Sequence, residues 1–425
     1  MIERRLLQSN EVVGEKLVKV SIDGEPHVVF RDETGRAVAL LDRCPHRGAP
    51  LSEGNCKAGL VQCPYHGWTV DGRGQVVDVP SEGNSQKADR KISVEAKALR
   101  ESDGWIYVTE TRASIETKLT PLEIADGEIR NEWYILALDR EVSRLGVTAR
   151  TVYDRDYEIT RVGGKIRVAR DGRPISHVLQ DGCVWIWTGD ESVKTEGPAW
   201  RFPESGNGEY GQYFMITDFD NEVTHLAQNF MDVPHTVFVH AGWFRRKTCL
   251  PVPITIDVGG GRVKVTYHQK NDAIGFWARI LNPKNEPMIH TDEFIFPNLT
   301  RVDYRFGQSH FIINSQCTPV SRYKSRVFTW IAYRVGALTR PLSPFMRFYT
   351  RQVIEQDVDI MKIHGANLAR FEKSRGPFAF TPKHGFHSTG ADELHIAIDR
   401  IRELGIKNKP GIEKVEFTRE REFWI

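Results

Sequence analysis

The chain has 425 residues, 27% of them charged and 40% hydrophobic, with a formal net charge of +2, which suits two or three soluble domains. That balance gives no argument for nucleic acid or a membrane surface, and no run reaches the roughly eighteen apolar residues of a membrane span. Six cysteines in so long a chain do not make a disulfide scaffold, and the start, MIERRLLQSNEVVG, lacks the apolar core of a secretion leader, so a cytoplasmic location is expected.

Residues 14–42 alternate as strands, KLVKVSI, HVVF and AVALL, with DG and TGR at the turns. The stretch from Cys44 to Trp68 then carries two short pairs, Cys44-x-His46 and Cys63-x-x-His66. Each pair sets one thiolate and one imidazole on a tight loop. Pro45 and Pro64 fix φ there, and Gly48, Gly59 and Gly67 permit sharp reversals. Two sulfur and two nitrogen donors suit either zinc or a [2Fe–2S] cluster whose irons carry unlike ligands. Zinc fingers pair cysteine with cysteine and histidine with histidine, so the mixed pairs favour the cluster. Cys56, between the loops but outside both pairs, reads as a buried small apolar residue.

After the second loop, WTVDGRGQVVDVP reads as a hairpin and ALRESDGWIYVTE closes an all-β domain at residues 1–112, with a polar linker at 113–130. Residues 131–195 are less expected. SHVLQDGCVWIWTGD echoes KALRESDGWIYVTE, which suggests a degenerate second copy of the first domain without ligand loops; the alternative is two similar edge strands. Residues 196–425 form the remaining domain. A short helical stretch at 221–240 precedes strands from VPITIDV to RVFTWIAYRV, then a long helix from about Ser343 to Phe371. A last amphipathic helix at about 389–404 is expected to end at Gly405. Antiparallel strands around a long C-terminal helix make an α+β architecture.

The second constellation runs from Asn229 to His240, N-F-M-D-V-P-H-T-V-F-V-H. Asn229, Asp232 and His235 at i, i+3 and i+6 would share one helix face. His240 lies about 140° further round an ideal helix, so both imidazoles reach one ion only where the helix is distorted or ends, and Pro234 supplies a cause. An anionic third donor would complete two histidines and a carboxylate on one face of a metal. Of Glu355, Asp357 and Asp359, only Asp357 falls on the apolar side of its helix among Val353, Ile354, Ile360 and Met361, where a carboxylate needs a cation or a metal. A buried salt bridge is the plain alternative. His225, His384 and His387 are read as non-ligands.

With its CPHRG and CPYHGW loops the chain resembles the Rieske iron–sulfur family. With N-x2-D-x2-H-x4-H and the late helical aspartate it resembles, over nearly its whole length, the catalytic α subunit of a Rieske non-heme iron oxygenase. The resemblance implies an all-β Rieske domain followed by a helix-grip (START-like) catalytic domain. Cys44, His46, Cys63 and His66 would hold one [2Fe–2S] cluster, and His235, His240 and Asp357 one mononuclear Fe(II). It further implies O2-dependent hydroxylation, desaturation or oxidative demethylation of a small, aromatic or apolar substrate. The family assembles as a homotrimer in which one subunit's cluster faces its neighbour's iron. Asp232 would bridge His235 to the neighbour's His66, with Asn229 supporting the site. No nicotinamide or flavin fingerprint is present, so NAD(P)H would act only through a separate reductase, with or without a ferredoxin. Gln228 and Gln356 depart from residues frequent in the family. Phe230, Phe238, Trp243, Phe244, Phe294 and Phe311 are the pocket candidates. Two other classes stay open: a zinc-dependent hydrolase with a structural cluster, and a protein that only carries electrons.

Overall fold

The computed structural model describes residues 2–86, 92–110, 127–143, 146–241, 250–268, 282, 286–375, 386–408 and 410–425. Trp243, Phe244 and His384 lie outside these residues, as does most of the expected linker.

Val18–Ile22, with alternating burial, pairs with Glu25–Arg31, and that strand with Ala37–Leu41, both largely buried, to open a sheet. Ala96–Ser102, Trp105–Glu110 and Ile2–Gln8 complete six strands. A second, four-stranded sheet (Asn55–Lys57, Leu60–Gln62, Thr69–Val70, Val76–Asp78) carries the two ligand loops at one end. Both loops close in the same way. Gly48 N–H donates to the Cys44 carbonyl and Gly67 N–H to the Cys63 carbonyl, with φ of 80° and 70°, a conformation that glycine adopts without strain.

The segment after residue 127 repeats part of this framework. Trp133–Leu138 pairs with Cys183–Trp187 as Ile2–Gln8 pairs with Trp105–Glu110, each with one register shift. Each opening strand runs into a 3-10 turn, Ser9–Glu11 or Asp139–Glu141, whose first N–H reaches the carbonyl of Gly104 or Gly182. Asp103-Gly104 and Asp181-Gly182 even share their left-handed φ values, 53° and 74°. A separate four-stranded sheet, from Val147 to Pro174, fills the interval.

The last domain is an eight-stranded antiparallel sheet around a long helix. Its strands are β1 (Gly211–Phe219), β2 (Pro251–Gly259), β3 (Arg262–Tyr267), β4 (Met288–Ile295), β5 (Leu299–Phe306), β6 (Ser309–Ser321), β7 (Lys324–Arg334) and β8 (Phe417–Trp424). Their spatial order is β1-β7-β6-β5-β4-β3-β2-β8. The outer face, through Leu299, Ile312, Phe328 and Trp330, packs on Trp133, Trp185 and Trp187 of the preceding segment. The inner face meets the helices: α1 (Val223–Asn229), α2 (Thr236–Val239), α3 (Ser343–Arg375) and α4 (Glu393–Ile406).

Two expectations are corrected here. Gly405 lies inside α4, which ends at Ile406, and the glycine serves close packing, since a Cβ there would strike the Phe296 ring. Asn229, Asp232 and His235 do not share one continuous helix. The amides of Met231 and Asp232 reach back three residues, to Gln228 and Asn229, closing α1, and Asp232 (φ −93°, ψ 88°) leaves helical geometry before a 3-10 turn opens at Val233-Pro234. Pro234 has no N–H to donate to the Phe230 carbonyl and its ring would clash there, which accounts for the break.

Candidate metal centres and the junction between them

The thiols of Cys44 and Cys63 are wholly buried and face each other. Burial pushes Cys44 well up, while the hydrogen bond from Cys44 and the amides of Tyr65 and His66 offset burial and pull Cys63 down. The rings of His46 and His66 stand 4.5 Å apart, and Trp68 stacks on His46 at 4.6 Å. Burial draws His66 down to about 4, so its imidazole is neutral and keeps a lone pair for a metal. Nδ1 of His46 is buried without a partner among the described residues, as a ligand nitrogen aimed at a metal would be. These four side chains fit a cluster bound by two thiolates and two imidazoles.

The second centre gathers His235, His240 and Asp357. Nε2 of His235 and Nε2 of His240 are 3.3 Å apart, and they lie 3.4 and 3.3 Å from Oδ1 of Asp357. A triangle with these edges suits three donors about 2.1 Å from one ion, leaving its opposite side open. Each imidazole is oriented by its other nitrogen. His235 Nδ1 donates to the main-chain carbonyl of Asp232, and His240 Nδ1 to Oε1 of Gln356, 2.9 Å away. Burial would raise Asp357, but His240 and His235 hold it far below the usual carboxylate range. Glu355 instead pairs with Arg351 at the surface, and Asp359 is exposed.

Two hydrogen-bonded paths link the centres. Nε2 of His66 donates to Oδ2 of Asp232 at 2.5 Å, and the Asp232 carbonyl holds His235. In parallel, Tyr65 Oη donates to Asn229 Oδ1 (2.7 Å) and Asn229 Nδ2 donates to Asp357 Oδ1 (2.9 Å). Burial opposes the charge on Asp232, yet His66 and the other imidazoles keep it ionised well below the ordinary range. One detail differs from the sequence-based expectation: His235 is held by the backbone of Asp232, not by its carboxylate. Within this chain His66 itself reaches Asp232.

The junction is built largely by α3. Asp357, Met361, His364 and Leu368 repeat at helical spacing, so the helix that offers a metal ligand also docks the cluster loops. His364 Nε2 donates to the Arg47 carbonyl, and Asn367 Nδ2 to the carbonyls of Asp42 and Gly48. Phe238 lies over Gly67, where any Cβ would come 2.2 Å from its ring. Phe238 thus faces the cluster domain, Phe230 packs edge-on against Phe219, and Phe294 and Phe311 lie on the inner face of the sheet. His225 packs edge-on against His364 and His387 donates its amide to the Pro45 carbonyl; neither joins a donor set.

Sequence reasoning missed Asp392. Its buried carboxylate accepts from His46 Nε2 (2.8 Å), from Arg47 Nη2 (2.8 Å) and from the amide and hydroxyl of Thr389. Burial would raise it, but His46 and Arg47 hold it well below its ordinary value. Thr389-x-x-Asp392 reads as a capping box, which hides the distant partner. Each cluster imidazole is therefore held by a carboxylate of the last domain. Asp392→Asn removes a negative charge beside His46, so the cluster's reduction potential is expected to rise by on the order of 50 mV. A redox titration followed by visible circular dichroism measures this, and an unmoved potential would refute the role.

The chain thus holds two buried donor sets, two thiols with two imidazoles and two imidazoles with a carboxylate, joined by hydrogen bonds. A Rieske [2Fe–2S] domain model matches residues 4–95, and a vanillate O-demethylase oxygenase C-terminal domain model matches residues 221–380. The chain thus carries a Rieske-type domain followed by an oxygenase-type C-terminal domain. Relatives include 3-chlorobenzoate-3,4-dioxygenase oxygenase subunit of Comamonas testosteroni, 28% identical over 41% of this chain and 40% of that one. Dicamba O-demethylase, oxygenase component, of Stenotrophomonas maltophilia is 39% identical over 23% of this chain and 28% of the relative. The matched stretches thus span less than half of these curated relatives' lengths. A crystal structure of dicamba monooxygenase bound to dicamba aligns over 96% of this chain and 97% of that one at 18% identity, with a TM-score of 0.46.

Proposed function

We propose that the chain is the terminal oxygenase of a Rieske-type system, oxidising a small aromatic or apolar compound with O2. The observation that carries this reading is the His66–Asp232–His235 connection, which ties one donor set to the other through a single residue. A protein that only carries electrons has no use for the second donor set. A zinc hydrolase has no use for a carboxylate link to the first. When bound, a cluster supplies single electrons and a mononuclear iron binds O2. The chain's own part is to orient both imidazole pairs, to keep Asp232 and Asp357 anionic, and to hold water away from the junction.

Electrons would come from a separate reductase, with or without a ferredoxin. Cys44, Cys56, Cys63, Cys183 and Cys317 are all free, which supports a reducing compartment, and we propose the cytoplasm. No helix among the described residues is long and apolar enough to cross a membrane. The paired strands, turns and φ values of residues 131–195 support their reading as a degenerate, ligand-free copy of the cluster framework. A homotrimer stays a proposal of family origin, and the junction as built here needs no exchange between its members.

Anaerobically purified protein is expected to contain about three iron and two sulfide per chain and to give a rhombic Rieske signal after dithionite. Asp357→Ala should lower iron to about two per chain with sulfide unchanged. Zinc without sulfide would overturn the reading.

A further inference from the structure

We propose that His290 and Asp292, on the inner face of β4, form the polar end of the substrate-binding space and select a flat substrate that carries a hydroxyl group. The inference rests on the oxygenase reading of the site. Register sets Tyr267, His290 and Tyr304 directly opposite one another on β3, β4 and β5. Their rings stack, with centroids 4.2 and 4.1 Å apart and interplanar angles of 11° and 20°. His290 is 0% exposed. Its Nε2 donates to Oδ1 of Asp292, two residues on and on the same face, at 3.0 Å. Nδ1 has no hydrogen-bond partner among the described residues.

The location supplies the functional argument. Tyr267 shares one apolar core with Ala227, Met231 and Val233, the segment that leads into His235. Tyr304 packs with Tyr213 and Met346, and Tyr213 Oη meets Thr350 Oγ1 at 2.8 Å, two turns before Asp357 on α3. The stack therefore spans the inner sheet face between the two elements that supply the metal ligands. Around it the face is apolar, with Met288, Phe294, Phe306 and Phe311. A structural core position here would be served by an aromatic or aliphatic residue at no desolvation cost. An imidazole with one nitrogen held by a carboxylate and the other unpaired carries that cost without return, unless a ligand meets the free nitrogen.

The chemistry of the ligand follows. With Nε2–H donating to Asp292, the neutral ring presents its lone pair at Nδ1 and calls for a donor. Tyrosine, methionine and phenylalanine side chains around it call for a flat apolar body. A hydroxyl on an aromatic ring satisfies both.

The test compares two probes on purified holoenzyme by isothermal titration calorimetry: 4-methylphenol and its methyl ether, which keeps the ring and loses the donor. The phenol is expected to bind about tenfold more tightly. His290→Phe, which preserves the stack, should erase that preference while iron, sulfide and far-ultraviolet dichroism stay unchanged. Equal affinities in the wild type, or no binding of either probe, would overturn the proposal, as would a preference that survives His290→Phe. Should that variant not fold, a crystal structure of the phenol complex decides: the hydroxyl belongs within hydrogen-bonding distance of His290 Nδ1, and a position elsewhere refutes the assignment. Binding is read without turnover, so a phenol preference in a protein that contains only zinc would sink the oxygenase reading and leave the dyad standing.

Discussion

Asp232→Asn is expected to lower substrate turnover by about 100-fold while both metal centres remain loaded. The argument turns on which atom of Asp232 does what. His235 is oriented by the Asp232 main-chain carbonyl, so a side-chain substitution leaves that imidazole in place. The carboxylate does something separate: it accepts the Nε2 proton of His66 and, kept ionised by the surrounding imidazoles, supplies the negative end of the link. An amide at this position is neutral and a weaker acceptor, so the contact to His66 loses its charge assistance. The measurement has three parts: metal and sulfide content, the rate at which reductant bleaches the visible bands, and product formed per reducing equivalent. The first two should match wild type and the third should collapse. Full turnover in the variant would mean that the parallel Tyr65–Asn229–Asp357 path suffices, and the role assigned to Asp232 would fall.

What could be read from the sequence follows a physical divide between local and distant information. Cys44, His46, Cys63 and His66 were legible because each pair lies on one tight loop, where spacing fixes geometry. Asp357 was legible because helical periodicity set it among Ile354, Ile360 and Met361, where a bare carboxylate is costly. The architecture of the last domain followed from alternating strands and one long helix.

The missed features depend on contacts between remote residues. Pro234 signalled a break near the second donor set, but the turn that swings the Asp232 side chain toward His66 is made by the amides of Met231 and Asp232 themselves. Asp392 looks like an ordinary helix cap, and only tertiary packing brings it to His46, 346 positions away. Phe238 read as a pocket aromatic, yet the flatness of Gly67 draws its ring to the cluster loop. His290 drew no attention in the sequence, since nothing local marks a buried ring nitrogen that lacks a partner among the described residues.

The cluster domain meets the metal site of its own chain, and this makes a sharp prediction about mixed assemblies. Cys63→Ala removes a proposed cluster ligand and Asp357→Ala a proposed ligand of the second centre, so each variant alone should be inactive. Co-expressed at equal levels, they are expected to recover no activity, because His66, Asp232, Tyr65 and Asn229 all come from one chain and neither variant holds both donor sets intact. The alternative has a definite size. In a head-to-tail ring where each cluster serves the next subunit, random mixing would give about a quarter of the junctions an intact cluster facing an intact site. Recovery near that level would place the same side-chain contacts between neighbours and restore the subunit-crossing bridge that the family resemblance implies. The contacts themselves need no revision in that case: α3 would still carry Asp357 to the metal and His364 and Asn367 to the cluster loops, and only the chain that owns those loops would change.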